Sequence, residues 1–536
     1  MNTVRQTTHE LLRHHDMRVI FGNPGSTELP FLAHLPEDFS YVLALNESTA
    51  TAMADGYAQA TGRPTLVNLH TATGLGNAMG SLVNASGARS PVVALAGQQV
   101  RAALPTPALL VNRGPLALAQ GAVKHTAEPA RAEDTPEILG QAILRAAQAP
   151  SGPVCVSVPM DDWDQELDPP SEEARHEAHH RARTSDSVPA PDALSDLARQ
   201  LAEARAPALI AGPELDTEAG YTAVVALAER LDAPVWLPAF TPRAGFPSAH
   251  AAARGPLPSA ADEVADTLAG HDLVLALGAP VFTYYQWTGG PPVAPGTRLA
   301  QITSDPEEAV RSVTGSSCLG SPVAAAGTLD RLLERRGHRP RNGAMRRPRT
   351  SPTPRPALAP EGVLHDGEVF ATLAKVLPGD AIVVNEAAQQ LPAYWRSAAS
   401  SRPGSFYFTG AGGLGFGLAG AVGVQLACPE RPVVAVIGDG SVQYTLQALW
   451  TAAHYRIPLT VLVLDNSEYG ILKNWGRTLG TGPVPGLDLP GIDIMGLATA
   501  YGVTAERAHS PNELKNLLSE TIGAPEPHLI HVPLAS

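Results

Sequence analysis

The chain has 536 residues, 44% of them hydrophobic, and a formal charge of −14. That length predicts about three domains. The acidic balance argues against a general nucleic-acid surface, which needs a basic field. No run of about 18 uncharged apolar residues is present to cross a membrane.

Met1–Asp16 carries charges and histidines where a signal peptide needs an apolar run, and it reads as an amphipathic helix with Val4, Leu11 and Leu12 on its buried side. Cys155, Cys318 and Cys428 cannot all pair and lack metal-ligand spacing. Cys155 and Cys428, in apolar contexts, read as buried small hydrophobes. A reducing, cytoplasmic compartment is the expectation. Two stretches have linker composition: Asp168–Pro191, charged and histidine-rich, and Arg335–Pro360, basic and proline-rich. The basic residues of Arg335–Arg355 are read as a solvated linker rather than a binding patch. These stretches delimit an N-terminal domain over 1–167, a central domain over 190–335 and a C-terminal domain over 360–536.

Short apolar runs at Arg18–Phe21, Tyr41–Leu45, Thr65–Leu69, Val92–Ala96 and Val154–Val158 alternate with helical stretches such as Ser48–Ala60, stopped by Gly62. The central block has Ala208–Ala211, Val235–Leu237, Leu273–Leu277 and Leu299–Ile302. The last block has Ala381–Val384, Val433–Ile437, Leu459–Leu464 and Leu529–Val532. The alternation predicts an α/β fold, each domain a mainly parallel sheet covered by helices. Ligands of such sheets sit beyond the carboxyl ends of the strands, so residues just after these runs are the ones to examine.

Gly438-Asp439-Gly440-Ser441 directly follows the Val433–Ile437 run. A helical stretch over Val442–His454 comes next, and then a strand ending in Asp465-Asn466. Strand, turn, helix and strand would set Asp439 and Asn466 side by side at the sheet edge. One carboxylate and one amide oxygen suit Mg²⁺. Gly438 and Gly440 would let the backbone approach a phosphate, with a helix N-terminus aimed at it. Alternatively, Asp439 caps a helix and Asn466 makes a turn. The motif resembles the diphosphate–metal signature of thiamine-diphosphate enzymes. Glu47 opens the Ser48–Ala60 helix in a different block, where it could share a proton with the cofactor's pyrimidine. Because that cofactor spans two domains, which usually belong to different subunits, a homo-oligomer is implied.

The whole chain is similar to benzoylformate decarboxylase, within the thiamine-diphosphate-dependent 2-oxo acid decarboxylase family. The resemblance is carried by Phe21-Gly-Asn-Pro-Gly-Ser26-Thr-Glu-Leu-Pro30, Asn68-Leu-His70, Gly74-x-Gly76-Asn-Ala-Met-Gly80, Ala96-Gly-Gln-Gln99, Asp161-Asp-Trp163, Gly412-Gly-Leu-Gly-Phe416 and Val484-Pro-Gly-Leu-Asp488. It implies a carboxy-lyase with Ser26 on the substrate carboxylate and His70 handling protons, though in isolation Ser26 also reads as a helix N-cap and His70 as a structural residue. It further implies a cofactor site of Asn23, Pro24, Gly25, Glu47, Ala388, Gln389, Gly412, Leu414, Gly438, Asp439, Gly440, Ser441, Asn466, Tyr469, Gly470 and Ile471. Leu414 would prop the cofactor in its bent shape. Mg²⁺ would be held by Asp439, Asn466 and the backbone carbonyl of Glu468. Leu110, Phe408, Leu472 and Trp475 would line an apolar substrate pocket. Gly410-x-Gly412-x-x-Gly415 also fits a dinucleotide fingerprint, but the acid about 20 residues on, Glu430, precedes a strand instead of following one.

Three departures qualify the resemblance. Tyr285 stands where the family has a second catalytic histidine, and a phenol gives up its proton less readily than an imidazolium near neutral pH. Asn385-Glu-Ala-Ala388-Gln389 replaces a hydroxyl-rich stretch that contacts the cofactor. Trp475 and Ile471 replace a phenylalanine and an alanine. Expected partners are a small 2-oxo acid, aromatic or branched, an aldehyde acceptor, and further copies of the chain in a dimer or homotetramer, with no nucleic acid and no membrane. Three functions follow: decarboxylation to an aldehyde, carboligation to a 2-hydroxy ketone favoured by Tyr285, and cofactor binding without turnover.

Overall fold

The computed structural model describes residues 2–167, 187–312, 315–338 and 362–535. Most of the two linker stretches lies outside the described residues. Of what is described, Pro191 opens a helix, Pro191–Glu203, and Arg335 closes another, Pro322–Arg335.

Three six-stranded sheets organise the chain. In the first, strands β1 (Val19–Gly22), β2 (Ser40–Leu43), β3 (Thr65–Leu69), β4 (Val92–Gln98), β5 (His125–Ala127) and β6 (Val154–Pro159) run parallel in the order β2-β1-β3-β4-β6-β5. In the second, β7 (Pro207–Ala211), β8 (Val235–Leu237), β9 (Ala253–Pro256), β10 (Leu273–Leu277), β11 (Arg298–Thr303) and β12 (Ser316–Leu319) run parallel in the order β9-β8-β7-β10-β11-β12. The third contains β13 (Ile382–Glu386), β14 (Phe406–Phe408), β15 (Val433–Gly438), β16 (Leu459–Asp465), β17 (Thr504–Arg507) and β18 (His528–Pro533), in the order β14-β13-β15-β16-β18-β17. First and third sheets thus share one topology, and each reverses direction between its first and third strands, where such sheets place their ligands.

The apolar runs read from the sequence are the inner strands and the edge strand β2, to within two residues at either end. The additional strands β5, β9, β12, β14 and β17 all lie on sheet edges. Four of them carry polar or water-facing residues, because an edge strand has one neighbour and a water-facing side, whereas β14 is apolar and buried but only three residues long. The helix expected over Val442–His454 is two pieces, Asp439–Val442 and Ala448–His454. The intervening turn is tied down by the Thr445 hydroxyl, which donates to the Gly415 carbonyl at 3.0 Å.

The chain divides into two compact units. One comprises Met1–Ser185, Thr409–Ala508 and Leu517–Val532. Its N-terminal helix, Val4–His14, buries Val4, Thr8, His9 and Leu12 in the core under the first sheet, with Leu11 at the margin. Helix α1 (Glu47–Thr61) is buried almost all round and ends in left-handed Gly62. Its partner in this unit is α3 (Gly417–Ala427). A Cβ on Gly56 would strike the Gly420 carbonyl, and one on Gly423 the Met53 carbonyl, so glycines let the two backbones touch. The Asp161-Asp162-Trp163 motif is architectural here. The Arg101 guanidinium grips Asp162 in a fork of 2.6 and 2.7 Å, and Trp163 packs on Phe31.

The other unit comprises Asp186–Phe408, His509–Asn516 and Pro533–Ser536. Its complete sheet has the strand order of dinucleotide-binding folds. At the switch point Gly212 and Gly278, just past the ends of neighbouring strands, lie so close that a Cβ on Gly212 would collide with the Gly278 carbonyl. No helix among the described residues is long and apolar enough to span a membrane. All three cysteines are free. Cys155 is buried, with its thiol pushed up to about 12 by that burial, whereas Cys428, expected inside, is half-buried.

Candidate active site

The carboxyl rim of the first sheet gathers Asn23, Ser26, Glu47 and His70. Glu47 is the first residue of α1, which Asn46 caps by accepting the Ser48 amide at 2.8 Å. It is 7% exposed. Its surroundings include two amide donors. Asn77 donates to one carboxylate oxygen at 3.0 Å and Asn23 to the other at 3.3 Å. A Cβ on Gly74 would press on the Glu47 side chain, so the Gly74–Gly80 motif makes room for this carboxylate and supplies a donor to it.

His70 ends β3 and is the N-cap of α2 (Thr71–Gly87). Its Nδ1 lies 2.8 Å from Glu28 Oε2 and 3.2 Å from the Thr27 hydroxyl. Glu28 is 1% exposed and also accepts the Gly25 amide at 2.8 Å and the Thr27 hydroxyl at 2.5 Å. A carboxylate has no proton to offer, so Nδ1 carries a hydrogen and donates it to Glu28. Gly25 has a steric reason to be glycine, since a Cβ would run into the His70 ring. Ser26 is exposed in the turn after Pro24. It is not the helix cap, because Glu28 holds that position before Leu29–Leu32.

Leu110 projects from the loop after β4 with φ 64° and is 39% exposed. That loop is pinned by Asn112, which exchanges hydrogen bonds with Gln98 and donates to the Gly97 carbonyl. Leu414 lies between Gly412 (φ 78°) and Gly415 (φ 112°). Asn84 clamps the loop at Gly413, accepting its amide at 3.1 Å and donating to its carbonyl at 2.9 Å.

On the third sheet, Asp439 is 5% exposed just after β15, and Asp465 ends β16. Burial, and then the neighbouring Asp465 carboxylate, raise the Asp439 carboxyl above its usual range. Asp465 goes the other way, because hydrogen bonds from His531 and the Ser467 amide outweigh its burial. Asn466 Oδ1 accepts the Glu468 amide at 3.3 Å. The Glu468 side chain is turned to Lys473, which also pairs with Asp488 at 2.5 Å. The Val484–Asp488 motif zips onto this turn, Leu487 accepting the Tyr469 amide at 2.8 Å. Gly440 does not leave an open cradle for a phosphate, because the Tyr469 ring occupies the space its Cβ would take. Gly438, with φ −72°, adopts backbone open to any residue. Gly470 opens α4 (Gly470–Leu479), on which Ile471 and Trp475 share a face and Leu472 is 42% exposed. Ser441 is buried in the short Asp439–Val442 helix.

In the other unit, Tyr285 is 61% exposed and meets Phe240 edge-on at 6.2 Å, while Phe240 stacks on buried Phe408 at 6.4 Å. Asn385 Nδ2 is buried without a protein partner beside half-buried Ala388 and Gln389.

Residues 2–120 match the N-terminal TPP binding domain of thiamine pyrophosphate enzymes, 194–329 their central domain and 390–532 their C-terminal TPP binding domain. Benzoylformate decarboxylase of Pseudomonas aeruginosa is 43% identical, with 99% of each chain covered. The chain belongs to the thiamine pyrophosphate enzymes. It is one of their carboxy-lyases. Among solved structures, the 4-hydroxybenzoylformate decarboxylase of Rhodococcus jostii RHA1 superposes with a TM-score of 0.94 at 40% identity, 99% of each chain being covered. The benzoylformate decarboxylase of Polynucleobacter necessarius does so with a TM-score of 0.94 at 35% identity, covering 100% of this chain and 99% of that one.

Within this thiamine pyrophosphate enzyme, sequence reasoning overlooked Glu28, Asn77, Asn84, Phe240 and Asp465. The first two lie inside motifs quoted for the family, and the signal at Glu28 was a charged residue at a buried position. Phe240, on a loop far along the chain from Phe408, left no trace in local pattern.

Proposed function

We propose that this chain removes CO₂ from an aromatic 2-oxo acid and releases the aldehyde, with thiamine diphosphate and Mg²⁺. The observation that carries this reading is the rim of the first sheet, where Glu47 sits between two amide donors and His70 is oriented by a buried carboxylate.

The residues fit both groups. Glu47 is buried, hydrogen-bonded and able to share a proton with a ring nitrogen of the pyrimidine. The Asp439 carboxylate, the Asn466 amide oxygen and the Glu468 carbonyl form an all-oxygen donor set suited to Mg²⁺. Among the described residues no cluster of three His, Cys, Asp or Glu side chains can hold a metal, so the diphosphate and water would complete the shell. Thiamine diphosphate, when bound, supplies the electron sink for the electron pair freed as CO₂ leaves.

The remaining roles belong to the chain. Ser26 donates to the substrate carboxylate. His70 takes or returns a proton at Nε2 as the keto oxygen changes charge. Leu414 would prop the cofactor, and Asn23, Pro24, Gly25, Ala388, Gln389, Gly412, Ser441, Tyr469, Gly470 and Ile471 are the further residues that the resemblance assigns to holding it. Leu110, Leu472 and Trp475 offer apolar surface that favours an aromatic substrate, and Phe408 is the fourth apolar residue that the resemblance assigns to the pocket. The active assembly is a dimer or tetramer in the cytoplasm, each site completed by a second copy. The exposed apolar side chains Leu29 (60%), Leu472 (42%) and Leu479 (68%) support burial against that copy. A second reading, carboligation with an aldehyde acceptor, is favoured by Tyr285 where the family has histidine.

The test is a panel of aromatic, branched and linear 2-oxo acids assayed for CO₂ release with added cofactor and Mg²⁺. Aromatic substrates should lead in kcat/KM. No CO₂ from any of them would overturn the reading.

A further inference from the structure

The turn carrying Asn466 and the Glu468 carbonyl is built on Asp465, and Asp465 is itself held by a file of side chains reaching the sheet edge. Asp465 Oδ1 accepts the Ser467 amide at 2.8 Å and the Ser467 hydroxyl at 3.1 Å. These bonds hold Ser467 at φ 55°, left-handed backbone that serine adopts only under local constraint. The other oxygen, Oδ2, lies 2.7 Å from His531 Nε2. On the far side of the ring, Arg507 Nε lies 3.1 Å from His531 Nδ1.

A guanidinium can only donate, so Nδ1 must accept. The ring hydrogen is therefore on Nε2, aimed at Asp465, and the imidazole is neutral. The file runs one way, from Arg507 through His531 and Asp465 to the turn. Its spacing is set by the backbone, because Arg507 and His531 are register partners on β17 and β18. The inner members are shielded, with side-chain exposures of 5% for His531 and 15% for Asp465. Asp465 thus holds the turn that would bear two of the cation ligands, and the proposed chemistry gives none of the three residues a task.

We propose that Arg507, His531 and Asp465 are positioning residues that set this chain's affinity for the divalent cation. The proposal rests on the reading that Asp439, Asn466 and the Glu468 carbonyl hold Mg²⁺. Asp465 fixes the turn and adds a negative charge behind the cation. The neutral imidazole keeps that carboxylate oriented without cancelling its charge. Oriented groups behind metal ligands typically change metal affinity by about 10- to 100-fold.

The experiment is equilibrium dialysis of thiamine diphosphate against the full chain at graded MgCl₂, repeated with MnCl₂, with circular dichroism as a check on folding. Asp439→Asn should abolish Mg²⁺-dependent uptake. Asp465→Asn should raise the Mg²⁺ half-saturation about 10- to 100-fold, and His531→Ala about tenfold. His531→Gln, which keeps a donor and an acceptor, should stay within about threefold, and Arg507→Met should shift it several-fold. Wild-type half-saturation in both Asp465→Asn and His531→Ala, with Asp439→Asn inactive in uptake, overturns the positioning file and leaves the cation reading standing. Uptake by the EDTA-treated wild type without any cation overturns both. Should His531→Ala not fold, Arg507→Met on its exposed edge strand decides, and an unchanged half-saturation counts against the file.

Discussion

Glu28 Oε2 lies 2.8 Å from His70 Nδ1, and the same oxygen accepts the Gly25 amide at 2.8 Å. One buried carboxylate therefore sets both the loop that carries Ser26 and the tautomer of the imidazole behind it. Glu28→Gln puts an amide beside Nδ1, whose NH₂ can donate to the ring and move the ring hydrogen to Nε2, where the lone pair is needed. We expect kcat to fall on the order of 10³-fold while KM stays within about threefold, as when a catalytic histidine is held in the wrong tautomer. Steady-state CO₂ release, with thermal midpoint and cofactor uptake measured alongside, checks this. A kcat equal to wild type in folded Glu28→Gln sinks it.

The two donors on Glu47 rank by distance, Asn77 at 3.0 Å and Asn23 at 3.3 Å. Asn77→Ala leaves one oxygen of a buried carboxylate short of a partner, which costs about 1–3 kcal/mol. Activity should fall on the order of tenfold in Asn77→Ala and less in Asn23→Ala. Glu47→Gln, which cannot share the proton at all, should lose about 10²- to 10⁴-fold. Initial rates at saturating cofactor order the three variants, and Glu47→Gln with undiminished activity would contradict the proposed chemistry.

The inner strands and the rim residues after them were legible because a strand buried on both faces must be apolar throughout, so its end is sharply marked. His70 was found that way, whereas Glu47 follows the edge strand β2, whose run Tyr41–Leu45 is apolar all the same. Most of the missed edge strands escaped because side chains along them face water, as in Thr504–Arg507, where only Ala505 is half-buried. Gly440 was read as room for a phosphate, and the resemblance placed Gly25 in the cofactor site. In the fold their missing Cβ atoms make room for Tyr469 and His70, a relationship between residues distant in sequence. The Arg507–His531–Asp465 file was invisible for the same reason, being formed only when β16, β17 and β18 come together.

The Gly56, Gly420 and Gly423 surface, where α1 meets α3, gives a stability prediction independent of chemistry. A Cβ at 423 collides with the Met53 carbonyl, a backbone atom that cannot swing aside. Gly423→Ala should cost about 1–3 kcal/mol, the usual penalty of overpacking a close-packed contact. Gly76→Ala, where nothing lies near the added carbon, should be close to neutral in packing. Urea unfolding followed by fluorescence distinguishes them. Equal midpoints for the two variants would mean that the helices yield more easily than this geometry implies.

Tyr285 bears on which product leaves. It is exposed at the edge of the Phe240–Phe408 pair, so replacing it disturbs little packing. A phenol is a poor proton donor near neutral pH, whereas an imidazole titrates there. Tyr285→His should therefore speed proton delivery to the product carbon and leave less time for a second aldehyde to be captured. With a 2-oxo acid and added aldehyde, the ratio of free aldehyde to 2-hydroxy ketone should rise about tenfold, a modest share of what general acids contribute. Tyr285→Phe should move the ratio the other way or leave total turnover lower. If neither substitution changes the ratio, proton delivery comes from His70 or from water, and the carboligation reading loses the observation that favours it.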